Sequence, residues 1–155
     1  KNERKKWMHF FDNTAAIIFV VALSGYDQLL WEDNRNNRMR EAIGLFRNVV
    51  NLDVFNDSHV IMFLNKSDLF EKKVGKYPFK EHFKDFEGQE TKEDVIKYIK
   101  QKFREQRRDK REQDESKQEI HFHITCATDT TCVKRMFESC RTIIIKKELQ
   151  NQGFM

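Results

Sequence analysis

The stretch Val60-Ile61-Met62-Phe63-Leu64-Asn65-Lys66-Ser67-Asp68 decides how the chain is read. An apolar run stops abruptly at Asn-Lys-x-Asp. Such a run predicts a strand buried on both faces, as in a parallel sheet. Open α/β sheets bind ligands beyond the carboxyl ends of their strands, which is where the polar tetrad falls. A carboxylate and an amide there suit the edge of a guanine base. Asp68 can accept from the ring N–H and the exocyclic amine. Asn65 can bond on the ring's other side, and Lys66 can lay its aliphatic stem along the base plane. Adenine offers an acceptor where guanine offers a donor. A site built for specific polar groups rejects an analogue lacking them by about 10⁴–10⁵.

The bulk numbers bound the rest. With 155 residues, the chain is long enough for one domain with a real core. Charged residues make up 35% and aromatics 12%, which fits a globular chain rather than a disordered one. Its net charge of +4, from 29 basic and 25 acidic residues, is too balanced to demand a nucleic-acid partner. Cys126, Cys132 and Cys140 form no Cys-x-x-Cys pair, so free thiols in a reducing compartment are expected. No secretory signal opens the sequence, and no prenylation signal closes it. The longest apolar run, Ala15 to Leu23, is too short to span a bilayer. No G-x-x-x-x-G-K-[ST] loop occurs, so the guanine clamp is half of a nucleotide site.

Periodicity predicts the remaining elements. Trp7, Phe10 and Phe11 share one face of a short helix that Asp12-Asn13-Thr14 ends. Ala15–Leu23 predicts a central parallel strand. Gln28–Asn36 is a polar connection holding Leu29, Leu30 and Trp31, which must fold onto the body or meet a partner. Asn37–Asn51 carries a helical stripe of Met39, Ala42, Ile43, Phe46, Val49 and Val50. A short helix is expected over Leu69–Gly75. Phe79, Phe83 and Phe86 would pin an irregular Phe79–Gly88 to the body. Thr91 caps a helix with the stripe Val95, Ile99 and Phe103. That helix is expected to run on into the charged Lys100–Gln118 segment and fray. Its arginines and lysines could form a nucleic-acid arm. The interleaved Glu105, Asp109, Glu112, Asp114 and Glu115 favour a solvated helix end instead. Ile120–Ile124 alternates like a half-exposed edge strand. His121, His123 and Cys126 could be read as a metal site, but the two histidines share the strand's polar face and no fourth ligand is near, so a plain edge strand is the reading. A helix over Thr131–Leu149 has the stripe Val133, Met136, Phe137, Cys140, Ile143 and Ile144. Alternating strands and helices imply a parallel sheet with helices on both faces. The first strand is expected to lack its second neighbour.

Asn65-Lys66-Ser67-Asp68, followed one strand later by Thr125-Cys126-Ala127-Thr128, resembles the guanine-recognition elements of heterotrimeric G protein α subunits. Glu3-Arg4-Lys5-Lys6-Trp7 is similar to that family's second switch helix, and Ala16–Ser24 to the strand after it. Tyr26-Asp27 through Asn37-Arg38-Met39 resembles the third switch. Gly153, third from the end, resembles the family's receptor-binding terminus. The resemblance covers essentially the whole chain.

It implies an α/β fold of the three-layer, Ras-like P-loop GTPase type. Residues 1–155 would be the carboxyl-terminal part of that domain, three parallel strands with flanking helices. The intact protein would be a GTPase that switches between receptor and effector. GTP or GDP would bind through Asn65, Lys66, Asp68, Leu69, Cys126, Ala127 and Thr128. Arg4, Lys5, Lys6, Trp7 and His9 would meet the βγ dimer or effectors, and Glu32, Asp33 and Arg35 would belong to the third switch. Gly153, Phe154 and Met155 would touch a G protein-coupled receptor. An RGS-type GTPase-activating protein is a further implied partner, and the inner face of the plasma membrane is the implied location. The phosphate loop, first switch, helical domain, Mg2+ ligands, arginine finger and catalytic Gln are all expected upstream of Lys1. Four departures mark a divergent subunit: Gly25 in place of an acidic residue, a bulky Trp31, Gln152 in place of the inhibitory subclass's cysteine, and a longer, more charged helix ending near Arg111. The competing readings are a nucleotide-binding module without hydrolysis and a basic nucleic-acid-binding domain.

Overall fold

A computed structural model describes residues 11, 14–107, 119–126 and 130–151. The reading of Arg4, Lys5, Lys6, Trp7 and His9 falls outside the described residues, as do those of Ala127, Thr128, Gly153, Phe154 and Met155. Three strands, β1 (Ala16–Ala22), β2 (His59–Asn65) and β3 (Ile120–Ile124), form a parallel sheet in the order β1-β2-β3. Five helices accompany them: α1 (Arg38–Val50), α2 (Ser67–Lys73), the single turn α3 (Phe79–His82), α4 (Lys92–Arg104) and α5 (Thr130–Asn151).

The pleat sorts side chains onto two faces. Val60, Met62 and Leu64 of β2 join Val21 and Ile120 beneath α1 and α4, where Met39, Phe46, Val95, Ile99 and Phe103 complete the main core. Phe46 is its keystone. Its ring lies 5.2 Å from Phe19 of β1 and 5.3 Å from Phe103 of α4, both edge-on. The other face is thinner: Ile61 and Phe63 pack with Cys140, Met136 and Ile143 of α5. Val60 to Leu64 are all at most 3% exposed, as a strand covered on both faces requires.

The helix boundaries have local causes. Asn37 caps α1 by accepting from the N–H groups of Met39 and Arg40 at 2.9 and 3.2 Å. Thr91 caps α4 through Asp94. Gly75, at φ +86°, takes the left-handed turn after α2. The Phe79–Gly88 segment is pinned by its rings as expected, with Phe79 and Phe83 stacked at 4.5 Å and the Arg40 guanidinium over Phe83. The carboxylate of Glu90 accepts from the N–H groups of Phe79 and Lys80, serving the start of α3.

Two expectations, the end of α4 and the place of Phe137, are corrected. α4 ends at Arg104 rather than near Arg111, because Phe103 is its last buried residue and no apolar residue follows before Ile120. Its chain closes in tight turns, with Gln106 and Arg107 donating to Phe103 and Arg104. Among the described residues β1 is the outer strand, in line with the expectation that it lacks a second neighbour, and Ile18 and Val20 on its α5-side face are 52% and 59% exposed. Phe137 does not belong to the buried stripe of α5. One residue past Met136, it is turned about 100° away and is 64% exposed. β3 is a half-exposed edge strand as expected, and its polar face is turned toward the α5 layer: His121 and His123 stand opposite Ile61 and Phe63. The His123 ring lies 5.7 Å from Phe63.

Two outcomes follow. Phe46→Ala should lower unfolding stability by about 3–5 kcal/mol in urea titrations, while Trp31→Ala, at a side chain 89% exposed, should change it by less than about 0.5 kcal/mol. Burial, reinforced by His121 and Lys100, holds the pKa of His123 below its usual 6.5. The unfolded chain therefore takes up this proton more readily than the folded one. The contribution is full above about pH 6.5 and is lost as pH falls through the folded value. A His123→Gln variant should show a shallower loss of stability than the parent between about pH 6.5 and 5.

Candidate functional site

Beyond Asn65 the chain must leave a buried strand and enter a helix within one residue. Lys66 does this at φ 60°, ψ 41°, in the left-handed region. A non-glycine residue there costs roughly 1–2 kcal/mol. Asn65 offsets that cost by folding its side chain back, so that Oδ1 accepts the Lys66 N–H at 2.8 Å. α2 then starts at Ser67, two residues earlier than expected, which puts Asp68 in its first turn. A carboxylate suits the positive end of a helix. Lys66 and Leu69 are exposed on either side of the half-buried Asp68.

The second loop is tied directly to this corner. Thr125 donates its N–H to Leu64 O at 2.9 Å and accepts from the Ser67 N–H at 3.2 Å. Its hydroxyl lies 3.3 Å from Asn65 Oδ1. Thr125 is 5% exposed and fastens the end of β3 to both sides of the Lys66 turn. Next to it, hydrogen bonding from the Cys126 thiol is the largest influence holding the Asp68 pKa below the usual carboxylate range. Partial burial opposes it, while the Leu69 N–H and the Lys72 charge assist.

Asn65, Lys66, Asp68, Leu69 and Cys126 thus lie at one corner, with Ala127 and Thr128 outside the described residues. Thr125, part of the quoted loop but not among the nucleotide contacts expected from it, is the residue that ties that loop to the corner. Its signal was a hydroxyl directly after an alternating strand.

A cavity of about 660 Å³ opens beside this corner and shares Lys66 and Leu69 with it. Arg38, Lys72, Lys73 and Lys76 also line it, giving it a basic wall. Lys73 is a structural clamp: its Nζ donates to Asp27 at 2.7 and 3.0 Å and to Ser24 O at 3.0 Å. It locks α2 to the exit of β1.

The 29–37 loop stands apart as a closed unit. Leu29 and Asn37 form an antiparallel bridge, and Leu30 donates to Asn36 O at 2.7 Å. Asp33 organises the turn by accepting from the N–H groups of Arg35 and Asn36, which holds its pKa below the usual range. Glu32, Arg35 and Trp31 point to solvent. Among the described residues, no group of three or more His, Cys, Asp or Glu side chains could hold a metal ion.

Comparison with known proteins follows the same lines. The sequence model of one family, described as "G-protein alpha subunit", matches residues 1–144. A "Guanine nucleotide-binding protein alpha-7 subunit" of Caenorhabditis elegans is 44% identical over 153 residues, 99% of this chain and 42% of that protein. The protein of the same description in Caenorhabditis briggsae has the same identity and coverage. A "Guanine nucleotide-binding protein alpha-16 subunit" of C. elegans is 42% identical over 153 residues, with the same shares. The chain therefore spans 42% of the length of these relatives.

Lys73→Met should destabilise the protein by roughly 1–3 kcal/mol, because it leaves a largely buried carboxylate and a carbonyl unpaired. In a double-mutant cycle measured by urea unfolding, adding Asp27→Asn to Lys73→Met should cost little more.

Proposed function

The chain belongs to the G-protein alpha subunit family, and from that premise we propose that it is the carboxyl-terminal, base-reading and partner-binding part of a Ras-like GTPase domain. The intact protein binds GTP, hydrolyses it, and alternates between a receptor and an effector. The observation that carries this reading is the corner at the end of β2. There Asn65, Lys66 and Asp68 are held against Thr125 and Cys126 of the second loop.

The work of these residues is recognition. The ionised Asp68 accepts from guanine's ring N–H and amine. Charge-assisted bonds of this kind are stronger than neutral ones. The Lys66 stem and the exposed Leu69 offer apolar surface to the base plane. Asn65 Oδ1 is committed to Lys66 N–H and Thr125, so the amide NH2 is the half of that side chain suited to an acceptor on the ring's far side. Ala127 and Thr128 complete the second loop in this reading.

Among the described residues no group of three or more His, Cys, Asp or Glu side chains stands ready for the phosphates' Mg2+. In this proposal the metal, the phosphate loop and the rate-bearing Arg and Gln belong to the portion of the protein preceding this chain. Partners are assigned by family. Arg4, Lys5, Lys6, Trp7 and His9 meet a βγ dimer or an effector, and Glu32 and Arg35 belong to a switch loop that Asp33 shapes from within. Gly153, Phe154 and Met155 meet a G protein-coupled receptor. An RGS-type activating protein and a place at the cytoplasmic face of the plasma membrane complete the assignment.

Asp68→Asn tests the reading. Xanthine has a carbonyl where guanine has its amine, so an amide suits it better. In the full-length protein the variant should lose GTP affinity by about 10²-fold or more and gain affinity for xanthosine triphosphate. Equal GTP binding by variant and parent would remove Asp68 as the base reader.

A further inference from the structure

The chain has three tyrosines, and the fold treats them unequally. Tyr26 is fully buried, and its hydroxyl donates to Tyr77 O at 2.8 Å. Tyr98 is half-buried among the rings of Phe79, Phe83 and Phe86, and its hydroxyl donates to Asp85 at 2.7 Å. Tyr77 is 53% exposed, and among the described residues nothing engages its hydroxyl. It sits in the turn between α2 and α3, where Gly75, Lys76, Tyr77 and Pro78 are all exposed. Two backbone bonds hold that turn, from the Lys76 and Tyr77 N–H groups to Lys73 O at 2.9 and 3.1 Å. Val74 and Pro78 on either side are already extended, at ψ 132° and 122°. Opening the turn in another protein's groove breaks those two bonds and the one from Tyr26, and it lifts out no buried side chain.

Tyr77 also lines the cavity of about 660 Å³ beside the Lys66 corner. Arg38, Lys66, Lys72 and Lys76 line it too, and Lys73 is held there by Asp27. Among the described residues no Asp or Glu faces into it. An anion added to Tyr77 therefore meets cations that no lining carboxylate neutralises. We propose that Tyr77 is a phosphorylation site whose phosphate is held by the basic wall of this cavity. The Tyr77 hydroxyl oxygen attacks the γ-phosphorus of ATP carried by a tyrosine kinase. A new O–P bond forms as the bond from that phosphorus to the β,γ-bridging oxygen breaks. ADP leaves, and the phenol proton passes to the kinase's base. The product carries a charge of about −1.5 to −2 and three acceptor oxygens. Charge-assisted bonds to Lys76 and to Arg38, the first residue of α1, tie the turn after α2 to the start of α1.

The test uses the full-length protein with MgATP and a recombinant tyrosine kinase chosen because it labels the free peptide 70–84. Peptide mass spectrometry should find Tyr77 phosphorylated in the folded protein, and Tyr26 and Tyr98 left unlabelled. Failure to label Tyr77, or as much label on Tyr26 or Tyr98, would overturn the site. A ³¹P NMR titration of the product should place the second ionisation of the Tyr77 phosphate below its ordinary value of about 6, because neighbouring cations favour the dianion. Lys72→Gln combined with Lys76→Gln should return it toward that value. A phosphate that titrates in the folded parent as it does in the free phosphopeptide would overturn its capture by the basic wall.

Discussion

The site depends on β3 staying in register with β2 for one residue beyond its own end. Thr125 bonds to Leu64 before the Lys66 corner and to Ser67 after it. That pair of backbone bonds brackets the one left-handed residue on which the strand-to-helix turn hinges. The register itself is set by burial. Val60, Met62 and Leu64 must face α1 and α4, and a slip of one residue would turn all three outward. The core beneath the sheet thus aligns the polar atoms at its edge.

The two faces of the sheet are built unequally. The α1–α4 side holds interlocking aromatic rings centred on Phe46 and a second aromatic group around Phe79, Phe83, Phe86 and Tyr98. The α5 side holds Ile61, Phe63 and Cys140, with His121 and His123 beside them. Uneven packing of this kind gives uneven local stability. The α1–α4 side, clamped further by Lys73 and Asp27, is the rigid platform for Asp68. The α5 side is thinner and carries the proton-sensitive histidine.

Much of the fold was legible because it follows from periodicity. The buried run at 60–64, the stripes of α1 and α4, and the caps at Asn37 and Thr91 all stand in the sequence as patterns with a physical cause. The tetrad after β2 was legible for the same reason, since a polar cluster must follow where an apolar strand ends. What sequence could not show is pairing. The alternation in β3 marks a half-exposed edge strand with two faces, but not which of them α5 covers, so the packing of His121 and His123 could not be read. The stripe of α5 admitted Phe137 because helical spacing tolerates a residue about 100° off axis. The bond from Cys126 to Asp68 joins residues 58 positions apart, and no local pattern records it. The helical continuation past Arg104 was overestimated because propensity was weighed without the packing that sustains a helix.

The most direct test of the account is a crystal structure of the full-length protein bound to GDP. The account predicts that the Asp68 carboxylate oxygens lie within about 3.2 Å of the guanine ring nitrogen and exocyclic amine, with the Lys66 stem along the base and the Cys126 thiol still on the carboxylate. A guanine base seated away from Asp68, or an Asp68 carboxylate turned from its edge, would contradict it.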